Sequence, residues 1–215
     1  MDPVMIITLG LLLYLGWSWS LTLKKKACAS LYHRPETGFV SITIDDVPSS
    51  SLDEILALLG QYRVRALFFV NGSRCRPHGA DVKKIMAAGH EVGNHSFSHY
   101  FFYPVSRQVI ENDLERNEDL LASFGVSRPP VRTPHGYHTC SLVRFLAERG
   151  TPFCPWDMML WDFLPLPQWV LRRSLVRFLR KGGGVLCMHA RKRSVKALAF
   201  LLDMLYPEMR EENQK

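Results

Sequence analysis

Cysteine is present but in no useful arrangement: Cys28, Cys75, Cys140, Cys154 and Cys187 are odd in number, irregularly spaced and without a Cys-x-x-Cys pair. Such a set implies no disulfide framework and does not support a thiolate zinc centre. His-Glu-x-x-His is missing as well, because His90-Glu91 would need a histidine at position 94, where Asn94 stands. No Gly-x-Ser-x-Gly occurs, which removes the nucleophile elbow of the serine hydrolases. No repeat or low-complexity tract divides the 215 residues, a length that suits one domain with a sizeable core. The net charge of +7 gathers in Lys24-Lys25-Lys26, in residues 172–181 and in Arg191-Lys192-Arg193. These clusters lack the interleaved aromatics of a nucleic-acid surface, so nucleic acid is not an expected partner. Helical periodicity instead makes Arg172, Arg173, Arg177, Arg180 and Lys181 a solvated face, with Leu171, Leu175, Val176, Phe178 and Leu179 inward.

Charge is also absent between Val4 and Leu23, about the ~20 residues a helix needs to cross a bilayer. Tyr14, Trp17 and Trp19 collect toward the end of that run and three lysines follow it, so residues 1–26 read as a single-pass anchor with a basic flank. The charge bias sets the lysines on the cytoplasmic side. The competing reading is a cleaved signal peptide and a secreted protein: Ala27-Cys28-Ala29 offers small residues, but the positive charge follows the apolar run instead of preceding it. One domain then spans residues 38–206, and 207–215 form a polar tail. Apolar runs at 39–44, 64–70, 90–94, 130–132, 151–155 and 184–188 predict strands. Amphipathic stretches at 52–62, 82–88, 105–124, 141–149, 170–180 and 194–205 predict helices. Alternation of the two predicts parallel βα units closed into an α/β barrel.

In such a barrel, chemistry collects at the carboxyl ends of the strands. Asp45 and Asp46 end the first predicted strand, His95 the third, Arg132 the fourth and His189 the sixth, while Asp157 lies just past the fifth. Adjacent buried acids are costly unless a cation or hydrogen bonds hold them. His95 and His99 with one aspartate make a facial set that leaves metal positions open. A divalent ion on Asp46, His95 and His99 would lower the pKa of bound water and polarise a carbonyl. Asp45 would act as general base with its carboxylate held by Arg132, and His189 would protonate the leaving group. Alternation along a strand sets the two neighbouring aspartates on opposite sides, which divides their roles. Imidazole and carboxylate suit zinc, with cobalt or nickel as alternatives. The aromatic run from Tyr100 to Tyr103 is either a stacking wall after the histidine pair or core packing. His33, His78 and His138 fall in polar segments and read as surface residues.

These residues resemble the polysaccharide deacetylases with a NodB homology domain, carbohydrate esterase family four, which include chitin and peptidoglycan deacetylases. The resemblance covers residues 39–205. Its first motif stands here as Thr43-Ile44-Asp45-Asp46-Val47-Pro48, with Val47 in place of glycine. The second is Gly89-His90-Glu91-Val92-Gly93-Asn94-His95-Ser96-Phe97-Ser98-His99, and the third Arg132-Thr133-Pro134-His135-Gly136. The fourth falls at Met159-Leu160-Trp161-Asp162-Phe163 without its first aspartate, for which Asp157 is the candidate substitute. The fifth is Leu186-Cys187-Met188-His189-Ala190. The resemblance implies a distorted (β/α) barrel after the anchor, Asp45 as base, Asp46 as metal ligand, Arg132 as tether of the base and the amide of His135 as oxyanion donor. His135, Asp157 and Trp161 become candidate substrate contacts. The implied activity is metal-dependent removal of N-acetyl or O-acetyl groups from an amino-sugar polysaccharide or oligosaccharide, with no obligate protein partner. The alternatives are a catalytically weakened carbohydrate-binding relative and a metal amidase or deformylase on a small molecule.

Overall fold

The computed structural model describes residues 39–101 and 105–212. Strand β1, Val40–Val47, is the middle of a five-stranded parallel sheet that also contains β2 (Leu67–Val70), β3 (Glu91–Asn94), β4 (Met158–Met159) and β5 (Gly184–His189) in the order β3-β2-β1-β5-β4. Apart from Ser41 its residues are β-branched or acidic, and the strand is buried almost throughout, as a central parallel strand covered on both faces requires. Side chains alternate between two environments. Ile42, Ile44, Phe68, Val70, Leu186 and Met188 point outward into the main core. Leu67, Phe69 and Val185 point inward with Cys154 to a small second cluster.

Beyond β3, single parallel bridges join Asn94 to Val131 and Val131 to Phe153. Strands were expected at 130–132 and 151–155, and each is reduced there to one paired residue. Pro130, Pro152 and Pro155 lack the N–H a continuous ladder needs, so the ladder keeps only what the residues between them can donate. Val131 N–H reaches Pro152 O at 2.7 Å, and Cys154 N–H reaches Val131 O at 2.9 Å. Phe153 therefore belongs to one edge of the sheet, while Met158, five residues on, pairs with β5 at the other. Five residues span at most ~17 Å, so the two edges meet and the sheet curls around the inner cluster.

Helices α1 (Leu52–Gln61), α2 (Gly72–His78), α3 (Ala80–Ala87), α4 (Arg107–Ser123), α5 (Cys140–Glu148), α6 (Gln168–Arg180), α7 (Lys192–Leu205) and α8 (Pro207–Glu212) follow in chain order. In α6, Leu171, Leu175 and Phe178 are buried and every arginine is exposed, the arrangement its periodicity predicts. Arg177 and Arg180 lie in its last turn, where cations complement the helix dipole. Helices α4 and α5 pack Ile110, Leu114, Leu142, Val143 and Leu146 on Val131 and Phe153, so the bridged edge has its own core. The segment read as a polar tail contains α8, whose Met209 packs against the main core. Among the described residues no helix is long and apolar enough to cross a membrane. The expected anchor at residues 4–23 lies outside the described residues.

Candidate active site

Parallel pairing sets Asp45 of β1 opposite His189 of β5, and Thr43 opposite Cys187. Residues two apart share a face, so all four line the inner side of the sheet. Arg132 enters the same interior from the bridge at Val131 and is fully buried. Its Nη1 donates to Asp45 Oδ1 at 2.8 Å and to the Thr43 hydroxyl at 2.6 Å, and its Nε donates to Cys154 O at 2.9 Å. The guanidinium sits 4.2 Å from the Phe69 ring centroid, a desolvated cation–π contact. Phe69 reaches that place because Gly93 leaves room: a Cβ there would come within 2.6 Å of the ring. Burial raises the Asp45 carboxyl, but the Arg132 charge, with His95 and His189 behind it, holds it below the usual carboxylate range. Asp45 is thus an ionised carboxylate with one oxygen tied down. Its other oxygen, Oδ2, accepts from the Cys187 thiol at 3.2 Å.

Alternation alone would send Asp46 to the outer face, and the structure departs from that expectation. Register with β2 shifts between Ile44 and Val47, and Asp46 takes φ 66°. This bulge, with its left-handed residue, turns both aspartates to the same side. His95 Nε2 lies 3.9 Å from Asp45 Oδ2 and 4.0 Å from Asp46 Oδ1, and His99 Nε2 lies 3.2 Å from Asp46 Oδ1. Asp46, His95 and His99 offer ligand atoms all within 4.8 Å of one another. Asp46 Oδ1 is buried and takes no hydrogen bond, so an unpaired carboxylate oxygen faces two imidazole nitrogens. That donor set fits a divalent cation. Burial alone would raise the Asp46 carboxyl, yet His99 and then His95 and His189 pull it well below its ordinary value.

His95 Nδ1 donates to Arg132 O at 2.8 Å, which presents the Nε2 lone pair to the site. Burial pushes His95 down to about 4 against the pull of Asp45 and Asp46, so its imidazole is neutral near pH 7, as a metal ligand requires. The loop carrying His99 is pinned by α4. Asp113 O accepts from Phe97 N–H, its carboxylate accepts from Ser98 N–H, and Asn117 Nδ2 donates to Asn94 Oδ1 at 2.7 Å. Asp46, Ser96, His99, His135 and Trp161 are five of the seven non-glycine residues with positive φ among those described, and such strain gathers where surrounding structure over-determines a site.

His189 Nδ1 pairs with Asp162 Oδ1 at 2.7 Å, while Asp162 Oδ2 accepts from His189 N–H and the Ser194 hydroxyl. Burial lowers His189, but Asp162 outweighs it and raises the imidazole above its ordinary value. The aspartate that orients this histidine is therefore Asp162. Asp157 stands elsewhere: exposed, it accepts from Val185 N–H at 2.8 Å near the opposite end of β5. Its place in the sequence suggested a strand end of the fifth predicted strand, but Phe153 is the only residue of that strand paired in the ladder. The signal for Asp162 was present, since it lies inside the fourth motif as read. Thr43 and Cys187 likewise lie inside the first and fifth motifs, whereas Asp113 and Ser194 carried no sequence signal as site residues.

Phe163 meets His189 edge-on at 5.1 Å and so borders the histidine, and Trp161 lies 5.6 Å from Phe163. His135 is exposed at φ 55°, its ring 4.8 Å from His99 and 5.4 Å from Phe101. The turn beneath it needs glycine: a Cβ on Gly136 would come within 2.1 Å of Trp156. Phe101, from the aromatic run, is exposed at this rim and not in a core. His138, expected at the surface, is buried with Nδ1 on Gly136 O at 3.0 Å and its ring on Phe153. Arg74 and Arg191, both about half exposed, flank Asp46: Arg74 donates to its carbonyl at 2.9 Å, and Arg191 Nη2 is 3.8 Å from Oδ2.

The polysaccharide deacetylase family model matches residues 33–153, more than half of the chain. Over 187 residues, 82% of this chain and 84% of the relative, it is 27% identical to a peptidoglycan-N-acetylglucosamine deacetylase of Bacillus cereus. Of several other curated relatives it spans less than two thirds. The fold is that of a family 4 carbohydrate esterase from Streptomyces lividans, solved in complex with acetate (TM-score 0.72, 24% identity, 80% of this chain and 90% of that one). It also matches a family 4 pseudoenzyme from Bacillus anthracis (TM-score 0.67, 24% identity, 83% and 62% covered). With the family's motifs folded around one curled parallel sheet, the chain belongs to the polysaccharide deacetylase family.

Proposed function

We propose that this protein is a metal-dependent hydrolase that removes N-acetyl or O-acetyl groups from an amino-sugar glycan of the peptidoglycan or chito-oligosaccharide kind. The observation that carries the reading is the convergence on one face of an Asp46–His95–His99 ligand set, an Arg132-held Asp45 and an Asp162-held His189. A divalent ion, zinc first with cobalt or nickel as alternatives, would be held by Asp46, His95 and His99, lowering the pKa of bound water and polarising the acyl carbonyl. Asp45 Oδ2 takes a proton from the attacking water while Oδ1 stays on Arg132, which keeps the carboxylate ionised and oriented. The C–N bond breaks as His189 Nε2 delivers a proton to the departing amine, and the Asp162 carboxylate stabilises the imidazolium before that transfer. The amide of His135 serves as the oxyanion donor, and Trp161 and Phe101 border the sugar.

Acetate release from N-acetylated chito-oligomers and from peptidoglycan, with and without chelator and with metal restored, tests this. Metal-restored acetate release supports the reading. Metal binding with no acetate from either glycan favours the second reading, a weakened carbohydrate-binding relative, for which the Bacillus anthracis pseudoenzyme is the precedent in the family. Residues 4–23 are proposed to hold the enzyme at a membrane. Carbonate extraction and protease protection check both attachment and side, and a soluble product beginning near Ser30 indicates a cleaved signal instead.

A further inference from the structure

A second group of ligand atoms lies beside the first. One carboxylate oxygen of Asp45, the Cys187 sulfur and one imidazole nitrogen of His189 all fall within 4.8 Å of one another. Each residue is held so that one donor atom remains for the interior. Asp45 Oδ1 is taken by Arg132, which leaves Oδ2 against Cys187 Sγ at 3.2 Å. His189 Nδ1 is taken by Asp162, which leaves Nε2 as the nitrogen presented. Cys187 is fully buried in the same inner face.

We propose that Asp45, Cys187 and His189 form an inhibitory site for a second, soft divalent cation, distinct from the Asp46–His95–His99 set. Thiolate, imidazole and one carboxylate suit zinc and cadmium, whereas magnesium and calcium favour oxygen ligands. On binding, the S–H bond of Cys187 breaks, its proton passes to solvent and a sulfur–cation bond forms. Asp45 Oδ2 and His189 Nε2 each supply a lone pair, and no group is oxidised or reduced. The inhibition rests on the catalytic roles proposed above, because the same cation occupies the base and the acid at once. One equivalent of metal therefore activates and a second silences.

The test loads the full chain with one equivalent of zinc and then titrates cadmium, following thiolate-to-cadmium absorption in the ultraviolet together with acetate release. The expected result is one further equivalent bound with a thiolate band, and a fall in turnover that tracks the band. The band disappears in Cys187→Ser and persists in Cys154→Ser, whose sulfur also lines the interior. Inhibition of Cys187→Ser, relative to its own uninhibited rate, needs at least tenfold more cadmium. X-ray absorption on the wild-type protein guards against a variant that fails to fold, and it should show one sulfur on the second cation. Absence of that sulfur, or a band that survives Cys187→Ser, overturns the site. A band without loss of turnover overturns the inhibitory role. A protein that releases no acetate at one equivalent defeats the deacetylase reading, while the band still decides the site.

Discussion

Asp162 and Arg132 each do, through a single carboxylate or guanidinium, what the chemistry of their neighbours depends on. Asp162 raises His189, so the proposed acid stays protonated until the pH passes a value above that of an ordinary imidazole. Turnover accordingly declines on the alkaline side of that raised value. In Asp162→Asn the charge is gone and burial is left, so a pH–rate profile should show the alkaline limb displaced to lower pH. An unmoved limb removes the assignment of His189 as acid. His189→Ala should lower turnover by ~10²- to 10⁴-fold, the range of general acid catalysis, in steady-state acetate release. Arg132 stabilises an ionised Asp45 in a desolvated interior. Asp45's depressed pKa contributes stability that is present above the ordinary aspartate value and lost as pH falls through the folded one. Arg132→Met leaves the carboxylate buried and unpaired, at a cost of about 3–5 kcal/mol in denaturant unfolding at neutral pH. Stability in that variant should rise on acidification as Asp45 protonates, the reverse of its contribution in the native chain.

At the scale of elements, the loop that carries the proposed metal ligand His99 is a guest of helix α4. The segment from Ser96 to His99 contains two positive-φ residues, and such a loop holds its geometry only if something outside it fixes the backbone. Asp113 supplies that by accepting from Ser98 N–H with both carboxylate oxygens, at 3.2 and 3.1 Å. Asp113→Ala touches no proposed ligand, yet it should weaken zinc binding by ~10- to 100-fold, as loss of outer partners does at metal sites. Calorimetric titration of the apo protein measures this, and an unchanged affinity means the loop is held without Asp113. The bulge in β1 has a comparable role. Without the φ of 66° at Asp46, the proposed base and the proposed metal ligand would face opposite sides of the sheet and could not share one water.

For the molecule as a whole, two aspartates and three histidines from three strand ends converge at one end of the curled sheet, and a cation that binds only the folded form couples that convergence to stability. At a thousandfold excess over its dissociation constant, zinc should add about 4 kcal/mol. Chelation should therefore lower the melting temperature, and His99→Ala should remove most of the difference between the metal-loaded and chelated forms. An equal melting temperature with and without metal in the native chain contradicts a site fed by all three residues.

The alternation of apolar runs with amphipathic ones already determined parallel βα units, and the spacing of His95 and His99 after a strand marked a candidate metal pair, because both depend on local periodicity. The solvated arginines of α6 were legible for the same reason. Strands at Val131 and Phe153 were only half legible: the apolar residues mark the positions, but the neighbouring prolines limit each to a single bridge. The tertiary structure decided which side Asp46 faces, since a bulge depends on pairing with β2 and not on the sequence of β1 alone. It also decided between Asp157 and Asp162. Both lie in one short segment, and what separates them is which end of β5 each meets: Asp157 meets Val185 and Asp162 meets His189. The apolar run around Cys187 marks it as a buried thiol, but its contact with Asp45 could not be read, because it joins residues 142 positions apart and exists only once β1 and β5 lie side by side.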